Sequence, residues 1–221
     1  MSTLTASADV DVTDDRRTRT AATGLALILG PLLLIVGNLL STPGDSSTAS
    51  FMTRIAGSSG AEQISIILFI GGFTMFLPAA FGIVALLPRR GSVLGLIGAW
   101  LTAIGAMAYA GLETTGVANI GLARALPATQ AAHLVDVMGN VGAAGVIFLL
   151  GLGLPIGMIL VTCAARRGRL TPTWVPIVTA LGFIAVIVVE TTIGGIAGDV
   201  LMLAGLGYLG LGLLKGTQSV L

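Results

Sequence analysis

The chain has 221 residues, of which 55% are apolar and only 10% are charged, and its mean hydropathy is +1.00. A water-soluble protein covers its surface with more polar side chains than this, so the composition excludes an ordinary soluble domain and favours a protein that lies in lipid. The net charge of +1, with the basic residues in short clusters, gives no indication of nucleic-acid binding.

The amino-terminal segment, residues 1–19, differs from the rest of the chain because it is polar. It holds four aspartates followed by Arg16, Arg17 and Arg19, and it has no apolar stretch from which a core could form. We therefore predict a disordered cytoplasmic tail over 1–19, one transmembrane domain over 20–215, and a cytoplasmic carboxy-terminal tail over 216–221.

Charge-free runs predict an all-α transmembrane bundle of six helices. A helix needs about 20 apolar residues to cross hydrocarbon. Five runs reach that length: Thr20–Gly44, Ile64–Pro88, Ser92–Leu112, Val137–Ala165 and Leu170–Val189. A sixth run, Val200–Leu214, has 15 residues and spans only if its helix begins near Gly195, after a turn at Gly194-Gly195.

The basic residues predict that both chain ends are cytoplasmic. With the amino terminus inside, nine basic residues fall in cytoplasmic segments and only two, Arg54 and Arg124, fall in outer loops. This asymmetry is the positive-inside bias of multi-pass membrane proteins. The nine are Arg16, Arg17, Arg19, Arg89, Arg90, Arg166, Arg167, Arg169 and Lys215.

Two outer loops are predicted between the helices. The first, Ser41–Gly60, contains a short surface helix around Ala49–Ala56, and the second, Gly116–Ala131, contains Pro127. The predicted fourth helix is rich in glycine, which allows close approach to neighbouring helices, to a second copy or to a partner membrane protein. Its glycines are Gly139, Gly142, Gly145, Gly151, Gly153 and Gly157.

An internal duplication is predicted from a shift of 77 residues. It overlays Leu77–Gly121 on Leu154–Gly198 without a gap, with 14 of 45 positions identical. The matches include Arg89-Arg90-Gly91 with Arg166-Arg167-Gly168, and Glu113-Thr114-Thr115 with Glu190-Thr191-Thr192. Both copies run outside–in–outside, so they would be parallel repeats about an axis along the membrane normal.

Glu113 and Glu190 are the strongest candidates for a functional site. Each follows the first arginine of its turn by 24 residues, roughly 36 Å of helix, which places it near the outer hydrocarbon boundary. Ionisable groups at such depth often face a bundle interior and mark ion or proton paths. The alternative is that each glutamate ends a helix and reaches water.

Further polar residues extend this candidate to an outward-facing cluster. His133, Asp136 and Asn140 share one helix face, Asp199 follows Glu190 by nine residues, and Tyr109 lies one turn before Glu113. Such oxygen ligands suit a hard divalent cation, but no metal-ligand spacing is present, so no cofactor is predicted and a divalent cation stays an alternative. The single Cys163 and single His133 exclude an intramolecular disulfide and a bis-histidine haem within one chain.

The acidic-then-basic tail, the arginine-rich inner turns and the glycine- and alanine-rich spans resemble six-helix membrane proteins of actinobacterial type that are grouped as domains of unknown function. The resemblance implies a multi-pass protein of a bacterial plasma membrane and no particular activity. Three functions stay open: a small transporter or ion-coupled permease, an accessory or scaffold subunit, and an enzyme acting on lipid at the outer leaflet. No complete catalytic motif is present, which favours a non-enzyme.

Overall fold

The computed structural model describes residues 5–41, 47–140, 142–189 and 192–216. These ranges contain eight α-helices and no strands, as the all-α prediction requires. The helices are α1 (Thr5–Leu40), α2 (Thr48–Leu86), α3 (Arg89–Ala125), α4 (Ala128–Gly139), α5 (Gly142–Gly151), α6 (Gly153–Arg167), α7 (Trp174–Val188) and α8 (Thr192–Leu214).

The fold is consistent with a multi-pass membrane protein. In the described part of the chain, five helical segments are long and apolar enough to cross a membrane: Arg16–Leu40, Gly60–Leu86, Gly91–Ala125, Gly145–Arg167 and Thr192–Leu214. The apolar helix α7 has 15 residues, fewer than the roughly 20 that a full crossing takes. Six complete spans therefore stay a prediction.

The long helices form a ring with one loose junction. α1 packs along both α2 and α8, α2 packs along α3, and α3 packs along α6. α7 packs along α8, whereas its contact with α6 is slight. The order around the ring is therefore α7, α8, α1, α2, α3, α6, and the junction between α6 and α7 is the loosest.

One end of the bundle, here called the arginine end, collects nine basic residues. α1 passes through Arg16–Arg19 there, α3 begins and α6 ends there, and Lys215 follows α8. Close approaches between the turns support this alignment, because a Cβ at Gly91 would lie 3.1 Å from the Ala164 carbonyl oxygen and one at Gly168 would lie 3.1 Å from Pro88 Cδ. Arg54 and Arg124 lie toward the opposite, far end.

The apolar core fills the half of the bundle nearer the arginine end. Leu27, Ile83, Val161 and Leu213 are buried there, and all belong to one continuous cluster. Phe76 and Phe183, whose ring centroids lie 6.3 Å apart, belong to the same cluster nearer the middle of the helices. Packed side chains therefore fill this half of the bundle.

α1 and α2 both begin earlier in the chain than the charge-free runs predict. α1 begins at Thr5, so the described part of the predicted disordered tail is helical, and its residues include no proline or glycine to end the helix. The helix predicted around Ala49–Ala56 is present as the first part of α2, which departs from helical geometry at Ser58. The domain boundaries themselves stay a prediction.

The predicted loop Gly116–Ala131 is almost entirely helical, which corrects the sequence interpretation. α3 continues to Ala125 and α4 begins at Ala128, so only Leu126 and Pro127 lie between helices. Leu126 is extended, with φ −129° and ψ 154°. Pro127 disfavours helical geometry at the residue before it, because its ring would clash there, and the chain therefore turns at this point.

The single fourth helix predicted over Val137–Ala165 is instead divided into α4, α5 and α6. The first division follows Gly139, and the second lies at Leu152, between Gly151 and Gly153. Glycine has low helix propensity, and Pro155 lacks the N–H that would bond back across this turn. Both residue types therefore favour a break here, and Pro155 lies in the first turn of α6, where the missing donor costs little.

The proposed duplicated pairs differ in geometry. α3 continues through Glu113, whereas α7 ends at Val188 and α8 begins at Thr192. Gly194 and Gly195 consequently lie inside α8 and not in the predicted turn. α2 packs extensively on α3, but α6 only touches α7. The two segments share sequence features without sharing their packing, and the duplication stays a prediction.

Candidate functional site

A cavity of ≈ 420 Å³ lies inside the far half of the ring and is partly open. Described residues from α1, α2, α3, α6, α7 and α8 line it, whereas no described residue of α4 or α5 contributes to its wall. Among the residues that the structure describes, its polar lining residues are Asn38, Ser41, Tyr109, Glu113, Thr192 and Asp199. The remaining wall is largely apolar and aromatic, as in most small-molecule sites.

Asp199 and Asn38 form the first polar wall. The Asn38 side-chain nitrogen donates a hydrogen bond to an Asp199 carboxyl oxygen across 2.7 Å, and Asp199 is only 2% exposed. Gly195, one turn before Asp199, leaves room for the amide, because a Cβ there would lie 3.1 Å from Asn38 Oδ1. The pair therefore joins α1 to α8 and orients a buried carboxyl group at the cavity edge.

Glu113 and Tyr109 form the second polar wall, one helical turn apart on α3. The Tyr109 ring stacks on Phe73 of α2, with centroids 5.0 Å apart, and Phe73 continues the row to Phe69 at 6.3 Å. Glu62 of α2 lies close enough for its charge to act on Glu113. This wall thus combines a carboxyl group with a row of aromatic rings.

Three sequence candidates, His133, Asp136 and Asn140, are not among the residues that line this cavity. His133, Asp136 and Asn140 are exposed on α4, which packs against the first part of α2 through Met52, Ala131 and Ala132. Glu113 and Asp199 line the cavity, whereas the described lining residues include none from α4. The structure therefore brings Tyr109, Glu113 and Asp199 together and leaves the α4 residues apart.

Asp136 has a local contact that the sequence did not indicate. The Thr48 hydroxyl donates a hydrogen bond to an Asp136 carboxyl oxygen at 3.0 Å, which joins the start of α2 to α4. Asn140 donates to the Asp136 main-chain oxygen at 2.7 Å. Asp136 therefore has a structural role, because it links α4 to the start of α2.

We expect Thr48→Val to loosen α4 while leaving the ring intact, because it removes this contact and preserves side-chain shape. An exposed hydrogen bond contributes about 0.5–1.5 kcal/mol. Amide hydrogen exchange over Ala128–Gly139 should therefore rise by up to about tenfold, while exchange in α8 is unchanged. Thr53→Val is the matched control, since Thr53 bonds only within its own helix in the described contacts. Equal exchange in both variants would remove the role given to Asp136.

Glu190, the partner predicted for Glu113, lies outside the described residues. Among the residues that the structure does describe, no three His, Cys, Asp or Glu side chains are grouped so that they could hold a metal ion. Among the described residues, two carboxyl groups line the cavity, and they lie on different walls: Glu113 on α3 and Asp199 on α8.

Asn38 and the aromatic row are the parts of the site that the sequence interpretation missed. Asn38 is the one asparagine in the charge-free run Thr20–Gly44, and a lone amide in such a run is a signal that it has a buried partner. Phe69, Phe73 and Phe183 carry no such signal, because phenylalanine is ordinary in membrane helices.

The chain matches no protein-family model, and neither a curated protein nor a solved structure gives a significant match.

Proposed function

We propose that the protein is a small membrane transporter whose substrate binds in the cavity between Glu113 and Asp199. The observation that carries the proposal is this cavity, whose largely apolar wall carries one carboxyl group from α3 and one from α8. Ionisable groups facing a bundle interior characteristically belong to ion or substrate paths. Transporter sites lie between helices that can move relative to one another.

The closed half of the bundle supports this proposal. The cavity is partly open in the far half, while the cluster containing Phe76, Met158 and Leu206 fills the interior toward the arginine end. Alternating access requires a site that is open toward one side and blocked toward the other. The slight contact between α6 and α7 offers a junction that can open or close without breaking an extensive interface.

The distribution of charge supports a direction for the cavity. Nine basic residues belong to the arginine end and two to the far end, so the positive-inside rule makes the arginine end cytoplasmic. We accordingly propose six membrane passages with α7 as the short one, both chain ends inside, and a cavity that faces outward across a bacterial plasma membrane.

Cysteine labelling in a Cys163→Ala background tests the proposal. Thr192→Cys places a thiol in the cavity wall, Thr129→Cys places one on exposed α4, and Lys215→Cys places one at the arginine end. We expect a membrane-impermeant maleimide to label Thr129→Cys only in intact cells and Lys215→Cys only in inside-out vesicles. The Thr192→Cys variant should be labelled in both preparations, because a transporter exposes its site alternately.

The other outcomes contradict the proposal in distinct ways. Labelling of Thr192→Cys from one side only would mean a fixed cavity, as in a scaffold or a lipid-acting enzyme, and would remove transport. Labelling from neither side would mean that the cavity excludes water. Labelling of Lys215→Cys in intact cells would reverse the proposed orientation.

A further inference from the structure

We infer that the cavity takes an amphipathic organic cation, a molecule whose positive charge is carried on or beside a flat apolar body. This inference rests on the proposed function, because it names the substrate class of the same site. Three features of the described wall lead to it: its charge, its aromatic row and the lack of a metal-binding group among the residues that the structure describes.

The charge of the wall favours a cation. Glu113 and Asp199 are the two carboxyl side chains among the described lining residues, and those residues include no lysine, arginine or histidine. An anion would be repelled by these two carboxylates in a medium of low dielectric constant, whereas a cation would be attracted from both walls.

The aromatic row favours a cation with an apolar body. Phe69, Phe73 and Tyr109 line the cavity as a row of stacked rings, and Phe183 lies in the wall contributed by α7. A cation within about 6 Å of a ring centroid is attracted by the ring quadrupole. A flat apolar body would in addition contact the same rings and displace water from them.

The described residues of the wall do not favour a small hard metal ion. Magnesium and calcium take six or more oxygen ligands in a compact shell. The described residues contain no group of three acidic, histidine or cysteine side chains suited to a metal. One of the two carboxyl groups, Asp199, already accepts a hydrogen bond from Asn38. The volume of ≈ 420 Å³ instead lies in the range of about 300–1,000 Å³ that small organic ligands occupy.

Calorimetric titration of the purified full-length protein in detergent tests the inference with a matched pair of ligands. 1-Methyl-4-phenylpyridinium and biphenyl-4-carboxylate have similar flat bodies and opposite charge. We expect the cation to bind and the anion to bind at least tenfold more weakly or not at all. Magnesium chloride is the third probe and should neither bind nor compete at millimolar concentration.

Variants then assign the binding to this cavity. Glu113→Gln and Asp199→Asn should each weaken cation binding about tenfold or more, whereas Asp136→Asn, which neutralises an exposed carboxyl group outside the cavity, should not change it. Tyr109→Leu should weaken binding about threefold to thirtyfold, the range expected for one cation–π contact. Phe148→Leu, on exposed α5, is its aromatic control.

Each outcome decides one statement. Equal binding of cation and anion, or tighter binding of magnesium, overturns the inference. So does cation binding that survives both carboxyl variants. If Asp199→Asn fails to fold, Glu113→Gln and the ligand pair still decide. Two-sided labelling of Thr192→Cys without cation binding would support transport and overturn the proposed ligand class. Cation binding with one-sided labelling would support the ligand class and overturn transport.

Discussion

Replacing Asn38 with leucine is expected to lower the free energy of unfolding by about 1–3 kcal/mol, the cost of leaving a buried polar group without its hydrogen bond. Asn38 donates to Asp199 at 2.7 Å, and Asp199 is 2% exposed, so bulk water has little access to replace the lost donor. The measurement is the thermal unfolding midpoint of the full-length protein in detergent, with intrinsic tryptophan fluorescence as the signal.

A double-mutant cycle separates this hydrogen bond from a general effect on packing. Asp199→Leu removes the carboxyl group, and the variant that carries both leucines has neither partner. We expect the double variant to be more stable than the sum of the single losses predicts, by about 0.5–3 kcal/mol, because contacting residues are energetically coupled. Additive losses would show that Asn38 acts only by filling space, and they would remove the contact that joins α1 to α8.

Local properties of the chain predicted most of the helices. α1 ends at Leu40 and α2 ends at Leu86, close to the ends of two charge-free runs, and the arginine-containing turns lie together at one end. Length and lack of charge are properties of a short segment, so a helix that needs lipid can be identified without knowledge of its neighbours. The same reasoning placed Glu113 near the outer hydrocarbon boundary, and in the structure Glu113 lines the cavity in the far half of the ring.

The glycine-rich region between Val137 and Ala165 shows where local reasoning ends. Glycine is compatible both with a tightly packed membrane helix and with a helix break, and this stretch contains both. Gly153 and Gly157 contact α3 closely, whereas Cβ atoms at Gly139 and Gly142 would meet nothing within 4 Å. Which of these roles a glycine takes depends on whether a second helix lies against it, and the segment itself does not carry that information.

The composition of the site depends on contacts between distant segments. Asn38 and Asp199 are 161 residues apart in the chain, and each alone has several interpretations. Asp136 was grouped with the acidic residues because it lies at the same end of the bundle, but α4 directs it toward Thr48. Depth along a helix was therefore predictable, whereas the direction in which a side chain points required the arrangement of the ring.

Substituting alanine for Gly98 is expected to separate α3 from α6 and to destabilise the protein by about 1–3 kcal/mol, as overpacking of a tight contact does. A Cβ at Gly98 would lie 2.7 Å from the Gly157 carbonyl oxygen, and one at Gly153 would lie 2.7 Å from the Leu101 carbonyl oxygen. Main-chain atoms cannot move aside as a flexible side chain can, so the two helices must shift. Thermal unfolding of the purified variant measures the loss.

Gly111→Ala on the same helix is the matched control, because a Cβ there meets nothing within 4 Å. Alanine has higher helix propensity than glycine by about 1 kcal/mol, so this variant should be as stable as the parent or more stable. Equal stability of the Gly98→Ala and Gly111→Ala variants would contradict close packing of α3 on α6.

The same substitution should also affect the cavity, because α3 carries Tyr109 and Glu113. A shift of α3 relative to α6 moves one wall of the cavity, so a folded Gly98→Ala protein should bind 1-methyl-4-phenylpyridinium more weakly.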